Sequence, residues 1–339
     1  MNVPRATSVD PPVIFLTNRA FPEVVSFLGK LGRVICNPDS QPFSREQFFE
    51  NASRATALMV FMNDSLDADA LDRCPHVRVI AGALKGCDNF DVAACTSRGI
   101  WFTIVPEILT TPTAELAIAL ALGLSRKILE GDQLIRSGAF AGWRPALYGT
   151  GLQSRTAGIV GMGNLGRAIA KRLAAFEMKI LYFDSTTLPR AKELSAMQVG
   201  LSELLANSDF VFLAMPLSPE TKHLIDSELL QSCKTGSFLI NVGRGSVVEE
   251  SAVSAALESG RLAGYAADVF EMEDWALASR PKSIHPVLLE QSDRTLFTPH
   301  LGSAVADVRY EIEMCAARNI VEALSGRRPP DAINDPVAR

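Results

Sequence analysis

Short apolar runs alternate with amphipathic segments of helix length along most of the chain. This alternation is typical of parallel sheets in which a helix joins each strand to the next. In the first third of the chain the apolar runs predict strands at residues 13–16, 34–36, 57–61, 77–81 and 100–103. In the remainder they predict strands at residues 157–160, 180–183, 210–214, 237–241, 264–269 and 295–298.

Two longer segments divide this pattern. Residues 110–130 predict one long helix, because apolar residues recur every four positions and Pro112 suits a first turn. Residues 304–324 predict another, which we expect to return to the first group of strands. The predicted fold class is α/β, with two Rossmann-like doubly wound domains and the first of them discontinuous. The predicted bounds are residues 1–108 with 306–339 for the first domain, and 109–305 for the second.

Composition limits the classes of function. At 339 residues the chain is long for a single core, which agrees with two domains. A net charge of −5 gives no electrostatic reason to expect nucleic acid or an anionic membrane as a partner. Six cysteines are scattered without a C-x-x-C pair, so we expect reduced thiols and no zinc site. Since the first dozen residues also lack the apolar core of a signal peptide, we expect a cytoplasmic protein.

The stretch RTAGIVGMGNLGRAIAKRLAAFEMKILYFD, residues 155–184, has the strongest chemical signal. Gly161, Gly163 and Gly166 have the spacing G-x-G-x-x-G between an apolar run and an amphipathic helix. Such glycines allow a tight turn, close approach of a pyrophosphate and close packing of helix on strand. Asp184 ends the next apolar run, where a carboxylate accepts hydrogen bonds from a ribose diol. The sequence therefore predicts a dinucleotide-binding domain that favours NAD, because a carboxylate repels the 2′-phosphate of NADP.

Three polar side chains directly follow predicted strands of this second domain. Arg244 lies in NVGRGS, Glu273 in DVFEMED and His300 in FTPHLGS. Because parallel strands end at one edge of the sheet, we expect these residues to lie near each other and near the cofactor. An Arg binds a planar anion, a His transfers a proton and a carboxylate orients the His. No His or Cys cluster has the spacing of metal ligands, so no metal is predicted.

The first domain is predicted to bind the substrate. In ALKGCDNFD, Lys85 and Gly86 follow a strand, where backbone N–H groups and an ammonium group can bind an anion. Met62 follows another predicted strand and would line the same pocket. The alternative is a solvated lysine on a turn, with Met62 in the core.

These segments together resemble the D-isomer-specific 2-hydroxyacid dehydrogenase family over nearly the whole chain: GMGNLG with Asp184, NVGRGSVVEESAV, GYAADVFEMED and TPHLGSA. The resemblance implies hydride transfer to or from a nicotinamide in an interdomain cleft, and a homodimer formed around residues 110–130. It implies that Arg244, Glu273 and His300 are catalytic and that Asp268 lies near the nicotinamide carboxamide. The implied NAD contacts are Gly161, Gly163, Asn164, Leu165, Gly166, Asp184, Ser185, Met215, Pro216, Val242, Gly243, Arg244, Asp268, His300 and Gly302.

Several segments depart from the ordinary hydroxyacid enzymes and resemble a phosphite-oxidising branch of the family. ALKGCDNFD has a lysine where the family usually has an uncharged residue, and FEMEDW replaces the usual F-E-x-E-P run. MVFMND, GWRPALYGTGL and HLGSAVADVRYEIE also resemble that branch. The implied reaction is oxidation of phosphite to phosphate with hydride transfer to NAD, in which Lys85 acts together with the catalytic set. The residues implied to contact phosphite or to shape its surroundings are Lys85, Gly86, Arg244, Arg309, Met62, Trp143, Tyr148 and Ser303.

Two other functions fit parts of this pattern. In a D-2-hydroxyacid dehydrogenase or a glyoxylate/hydroxypyruvate reductase, Arg244 would hold the substrate carboxylate and His300 would protonate a carbonyl. The lysine in ALKGCDNFD and the FEMEDW run count against that function. A nucleotide-sensing corepressor on the same fold would not need an anion site, and we see no added partner-binding segment in the sequence.

Overall fold

The chain divides into two compact units, residues 1–108 with 306–339 and residues 109–305. The computed structural model describes residues 10–39, 41–186 and 194–336, so most of the first dozen residues lie outside the described part of the chain. Each unit contains one sheet, and in both sheets the neighbouring strands run parallel. The predicted α/β class with Rossmann-like parallel sheets is confirmed.

The first unit has a five-stranded sheet in the order β2-β1-β3-β4-β5, with elements numbered in chain order through both units. Its strands are β1 (Val13–Leu16), β2 (Arg33–Cys36), β3 (Ala57–Val60), β4 (Val79–Gly82) and β5 (Trp101–Thr103). Its helices are α1 (Pro22–Gly29), α2 (Arg45–Ala52), α3 (Ala68–Asp72), α4 (Val92–Ser97) and α12 (Ala306–Leu324). Every residue of β3 and β4 is buried, as expected of central parallel strands covered on both faces.

Local sequence and the distant C-terminus both contribute to this unit. At the start of α2, Ser44 Oγ accepts the Gln47 N–H at 3.2 Å and Gln47 Oε1 accepts the Ser44 N–H at 2.9 Å. This capping box satisfies two backbone donors that the helix leaves unpaired. Helix α12 packs against α1, β3 and β4, so the last long helix covers part of a sheet built by the first hundred residues.

The second unit has a seven-stranded sheet in the order β12-β11-β10-β9-β6-β7-β8. Its strands are β6 (Thr156–Val160), β7 (Lys179–Phe183), β8 (Met197–Gln198), β9 (Phe210–Leu213), β10 (Ser237–Asn241), β11 (Leu262–Ala267) and β12 (Thr295–Phe297). Its helices are α5 (Thr110–Ser125), α6 (Ile128–Arg136), α7 (Asn164–Ala175), α8 (Leu201–Asn207), α9 (Ser227–Ser232), α10 (Glu250–Glu258) and α11 (Pro286–Glu290). Strand β8 was not predicted, because two residues are too short to show a periodic pattern.

The single helix predicted over residues 110–130 is wrong. Helix α5 ends at Ser125, and Lys127 has a left-handed backbone conformation (φ 54°) before α6 begins. The Ser125 carbonyl instead accepts the Thr150 N–H at 2.8 Å. The four-residue spacing of apolar residues continues across the break, which is why one helix was predicted. The helix ends where the Ser125 carbonyl bonds to the later loop, and the spacing of apolar residues within 110–130 does not show that contact.

The apolarity of α5 is explained by its place in the second unit. The stretch Glu107–Ser125 is long and apolar enough to cross a membrane by length and composition. Half of that stretch is buried, and α5 packs against α7, β10 and β11. A helix with apolar residues on most sides is expected where it lies in a protein core.

Candidate active site

The turn after β6 has the backbone that a bound dinucleotide requires. Gly161 has a φ of 92°, which residues with a Cβ rarely adopt. A Cβ on Gly166 would lie 2.1 Å from the Gly161 carbonyl oxygen, so the close packing of α7 on this turn needs glycine. Gly163, the N-cap of α7, faces open space, and a Cβ there would meet nothing within 4 Å. Open backbone at a helix N-terminus fits the pyrophosphate of NAD.

Asp184 connects the second strand of this motif to the glycine turn. Its Oδ2 accepts the Met162 N–H at 2.8 Å, and its Oδ1 accepts the Thr186 N–H at 3.1 Å. Oδ1 also accepts the Thr186 hydroxyl at 3.2 Å. Two carboxylate oxygens provide about four acceptor positions, so Oδ2 keeps capacity for a ribose hydroxyl. The half-buried Asp184 therefore orders the phosphate-binding turn in addition to its predicted role in choosing NAD.

The predicted catalytic residues follow three adjacent strands. Arg244 comes after β10, Glu273 after β11 and His300 after β12, so all three are at the carboxyl edge of the sheet. The loop carrying Arg244 is held by the Asn241 side chain. Asn241 Nδ2 donates to the Arg244 carbonyl at 2.9 Å, and Asn241 Oδ1 accepts the Gly243 N–H at 3.1 Å.

Glu273 and His300 are in direct contact. Glu273 Oε2 lies 2.7 Å from His300 Nδ1, and Glu273 Oε1 accepts the Phe270 N–H at 2.9 Å. Both oxygens are engaged, which fixes the orientation of the carboxylate. When Nδ1 donates to Glu273, the neutral imidazole has Nε2 as its acceptor. The pair therefore has the arrangement of a general base and its orienting group.

Asp268, at the carboxyl end of β11, holds the loop on which His300 lies. It is 2% exposed, and its carboxylate accepts the Thr298 hydroxyl at 2.5 Å, the Leu301 N–H at 2.6 Å and the Gly302 N–H at 2.8 Å. Burial raises the pKa of Asp268, whereas these hydrogen bonds act to lower it. His300 has a φ of 55° and donates its N–H to the Asp268 carbonyl at 2.9 Å. Asp268 therefore has a structural role that its predicted contact with the carboxamide did not include.

The other predicted cofactor residues of this edge are closely packed. A Cβ on Gly243 would lie 2.6 Å from the Met215 carbonyl oxygen, and a Cβ on Gly302 would lie 3.0 Å from Thr113 Oγ1. Met215 and Val242 are buried, whereas Pro216 is exposed. Glycine at positions 243 and 302 thus lets neighbouring loops approach each other without a clash.

In the first unit, Lys85 follows β4 as predicted, and it forms an ion pair with Glu107. Its neighbour Gly86 is half-buried. Glu107 could not be predicted as the partner of Lys85, because it lies 22 residues further along the chain and no spacing rule connects the two positions. The lysine is thus not the freely solvated residue of the alternative interpretation.

Helix α12 adds a second cation at the end of β4. Arg309 Nη1 donates to the Ala83 carbonyl at 3.4 Å, and the guanidinium carbon lies 5.9 Å from the centroid of the Phe61 ring. Glu313, 3.7 Å from the guanidinium, also accepts the Phe21 N–H at 3.0 Å. Burial lowers the pKa of Arg309 and raises the pKa of Glu313, and their mutual attraction opposes both shifts.

Met62 is half-buried and packs against the core of the first unit. The turn around it is held by Asp64, whose Oδ2 accepts the Phe61 N–H at 2.7 Å and the Thr17 hydroxyl. Burial raises the pKa of Asp64 to about 6. The role of Asp64 could not be predicted, because nothing in the local sequence pattern shows that its carboxylate accepts hydrogen bonds from Phe61 and from the distant Thr17.

The remaining predicted substrate residues lie in the second unit. Trp143 is 83% exposed and Tyr148 is 74% exposed, both in the segment after α6. Ser303 is half-buried and directly follows Gly302 on the loop that Asp268 holds. Their contacts with substrate stay predictions.

The cysteines form neither disulfides nor a metal site. All six are free. Burial raises the pKa of Cys74 and of Cys233 to about 11, so these thiols stay protonated and unreactive near neutral pH. Among the described residues, no group of three or more His, Cys, Asp or Glu side chains is arranged to hold a metal ion.

A glycine turn with its acidic partner, together with an Arg and a Glu–His pair at the same sheet edge, defines an NAD-dependent oxidoreductase. Residues 118–302 match the sequence model of the D-isomer specific 2-hydroxyacid dehydrogenase, NAD binding domain. The chain belongs to the D-isomer-specific 2-hydroxyacid dehydrogenase family.

Relatives and solved structures match nearly the full chain. A glyoxylate reductase of Pyrococcus furiosus is 36% identical over 335 residues, which cover 97% of both chains. The TT0316 protein from Thermus thermophilus superposes with a TM-score of 0.85 and 33% identity, covering 95% of this chain and 99% of that one. A glyoxylate reductase from Paecilomyes thermophila has a TM-score of 0.83 and 28% identity, covering 96% of this chain and 99% of that one. The family architecture therefore includes both units.

The role of Asp184 in cofactor choice is tested by Asp184→Asn, which removes the charge and keeps an acceptor for the Met162 N–H. We expect the ratio of kcat/KM for NAD to that for NADP to fall at least about tenfold, because repulsion of the 2′-phosphate is lost. Asp209→Asn is the matched control: Asp209 accepts the Thr156 N–H at the opposite end of β6, and its loss should leave the ratio unchanged. Equal use of the two cofactors by the unmodified enzyme would contradict the assignment.

Proposed function

We propose that this enzyme is a phosphite dehydrogenase, which converts phosphite, water and NAD⁺ into phosphate, NADH and a proton. The observation that carries the proposal is the presence of two cations, Lys85 and Arg309, at the end of β4 in the first unit. Phosphite is a small dianion near neutral pH, whereas glyoxylate carries a single negative charge. Lys85 is paired with Glu107 and Arg309 with Glu313, and in this proposal both cations also contact the substrate. A doubly charged anion gains more from two cations than a single carboxylate does.

The two units have different roles in this proposal. The first binds the substrate anion through Lys85 and Arg309, and the second binds NAD and contributes Arg244 to the chemistry. Bound NAD supplies the acceptor for the hydrogen of the P–H bond. His300, oriented by Glu273, accepts a proton from the water that forms the new P–O bond. Positioning of the anion and neutralisation of its charge supply most of the rate enhancement.

Reduction of glyoxylate or hydroxypyruvate is the second candidate, and the names of the relatives support it. The glyoxylate reductase of Pyrococcus furiosus matches over 97% of the chain. In that reaction Arg244 would bind the substrate carboxylate, and His300 would give a proton to the carbonyl oxygen. The lysine in ALKGCDNFD supports phosphite instead, because a substrate with one carboxylate does not need this additional cation.

We also propose a homodimer in the cytoplasm. The absence of disulfides among the six cysteines agrees with a reducing compartment. Helix α6 has no buried residue, and Ile128, Ile135 and Phe140 are each more than half exposed. A contiguous exposed apolar segment of this kind marks an interaction surface. A second copy of the chain covering residues 128–148 would also cover Trp143 and Tyr148.

The substrate is tested by following NADH formation with phosphite, D-lactate or D-glycerate, and NADH consumption with glyoxylate or hydroxypyruvate. We expect phosphite to give the highest kcat/KM. Lys85→Ala should raise the KM for phosphite at least about tenfold, because one charged hydrogen bond to the anion is lost. Lys234→Ala, which breaks an ion pair with Asp209, is the matched control and should leave the KM unchanged. Reduction of glyoxylate without oxidation of phosphite would overturn the proposal in favour of the second candidate.

The dimer is tested by Ile135→Asp, measured by light scattering after size-exclusion chromatography. We expect the unmodified chain to have twice the protomer mass and the variant to shift toward the protomer mass, because a buried unpaired carboxylate opposes association. Leu289→Asp is the matched control, since Leu289 and Ile135 are both 54% exposed and Leu289 lies on α11. A dimer that survives Ile135→Asp would place the interface elsewhere.

A further inference from the structure

FEMEDW has an acidic residue, Asp274, where the family usually has proline, and the roles proposed so far do not explain it. Asp274 is only 2% exposed. Its Oδ2 accepts the N–H of Ser246 at 2.7 Å. Ser246 lies two residues after Arg244, on the short 3-10 turn Gly245–Val247. A proline at position 274 would have no side-chain acceptor for this buried N–H.

Two further contacts join the same pair of loops. A Cβ on Gly245 would lie 1.9 Å from the carbonyl carbon of Phe270, so the two backbones touch directly. Glu250 and Glu271 bond reciprocally: the Glu250 N–H donates to Glu271 Oε1 at 2.8 Å, and the Glu271 N–H donates to Glu250 Oε1 at 3.0 Å. The segment from β10 to the start of α10 therefore contacts the turn after β11 at three positions, Gly245, Ser246 and Glu250.

Of the residues that make these contacts, Asp274 is the one next to Glu273 in the chain. Glu273 ends the 3-10 turn Glu271–Glu273, and its side chain contacts His300 Nδ1. Asp274 follows it directly and donates its own N–H to the Glu271 carbonyl at 3.3 Å. Because Glu273 and Asp274 are consecutive residues, a displacement of Asp274 also displaces Glu273. The hydrogen bond from the Ser246 N–H to Asp274 therefore couples the position of Glu273 to the loop that carries Arg244.

We propose that Asp274 is a positioning residue that fixes the loop bearing Arg244 relative to the Glu273–His300 pair. The Ser246 N–H is buried, so losing its acceptor leaves a donor unpaired and favours movement of the loop. A shift of about 1 Å in a positioning group can lower a rate about a hundredfold. A proline at position 274 could not accept the hydrogen bond from Ser246, so the loop that carries Arg244 would lack this contact. The acidic residue in FEMEDW is thus explained by the positioning of the arginine that we propose binds the anion.

This inference rests on the roles proposed for Arg244, Glu273 and His300, and it does not depend on which substrate is turned over. The experiment compares Asp274→Ala with Asp274→Asn, because asparagine keeps one oxygen acceptor for the Ser246 N–H. Two quantities are measured: the dissociation constant of sulfite, a non-reacting oxyanion, for the NAD complex, and the KM and kcat of the substrate that the enzyme uses. Sulfite binding needs no turnover, so it reports on Asp274 even if phosphite fails as a substrate.

For Asp274→Ala we expect sulfite binding to weaken and KM to rise at least about tenfold, with a smaller change in kcat per folded active site. Asp274→Asn should recover most of this loss and leave about a threefold effect, since a neutral acceptor binds the N–H less strongly. If the alanine variant does not fold, the asparagine variant tests the proposal by itself, through the expected threefold change in sulfite affinity and KM. Asp226→Ala is the matched control: Asp226 accepts the Leu229 N–H at the N-cap of α9, and its removal should change neither quantity.

Three results would overturn the inference. One is an unchanged sulfite affinity and KM in the folded alanine variant. Another is an asparagine variant as impaired as the alanine variant, which would mean that the charge and not the acceptor matters. A third is an equal effect of Asp226→Ala, which would mean that any lost carboxylate cap in this unit weakens binding.

Discussion

The buried carboxylate of Asp268 holds together the sheet edge of the second unit at which the predicted catalytic residues lie. It accepts hydrogen bonds from the Thr298 hydroxyl and from the Leu301 and Gly302 N–H groups, which surround His300 in sequence. Bonds to a charged acceptor are about twice as strong as neutral ones, and each buried donor left unpaired would cost about 1–3 kcal/mol. This is how His300 is kept in a left-handed backbone conformation, which a non-glycine residue adopts only when its surroundings enforce it.

Sheet topology then places the partners of His300. Strands β10, β11 and β12 are neighbours, so the loops that follow them meet at one edge. Glu273 uses one carboxylate oxygen to bond its own turn and the other to contact His300. Asp274 joins that turn to the loop of Arg244. Each chemical group is thus fixed by a polar contact from a neighbouring loop, while the glycine turn after β6 leaves open backbone for the cofactor.

What could be predicted from the sequence is what short segments determine by themselves. The strands other than β8, the G-x-G-x-x-G turn and the capping box at Ser44 follow from periodicity and local hydrogen bonds. The break at Lys127 could not be predicted, because the Ser125 carbonyl at the end of α5 accepts a hydrogen bond from the N–H of Thr150, which lies in a later loop. The contacts of Asp64 with Thr17, of Glu107 with Lys85 and of Asp274 with Ser246 could not be predicted for the same reason. Each joins positions far apart in the chain, and a spacing pattern does not show such partners.

The measurement that tests the central role of the Glu273–His300 pair most directly is kcat of His300→Ala, with NAD affinity measured in parallel by fluorescence. We expect kcat to fall at least about a hundredfold, because general-base catalysis contributes about 10²–10⁴ in rate. NAD affinity should change less than about threefold, since the glycine turn and Asp184 are untouched. A near-normal kcat in this variant would contradict the assignment of His300 as the base.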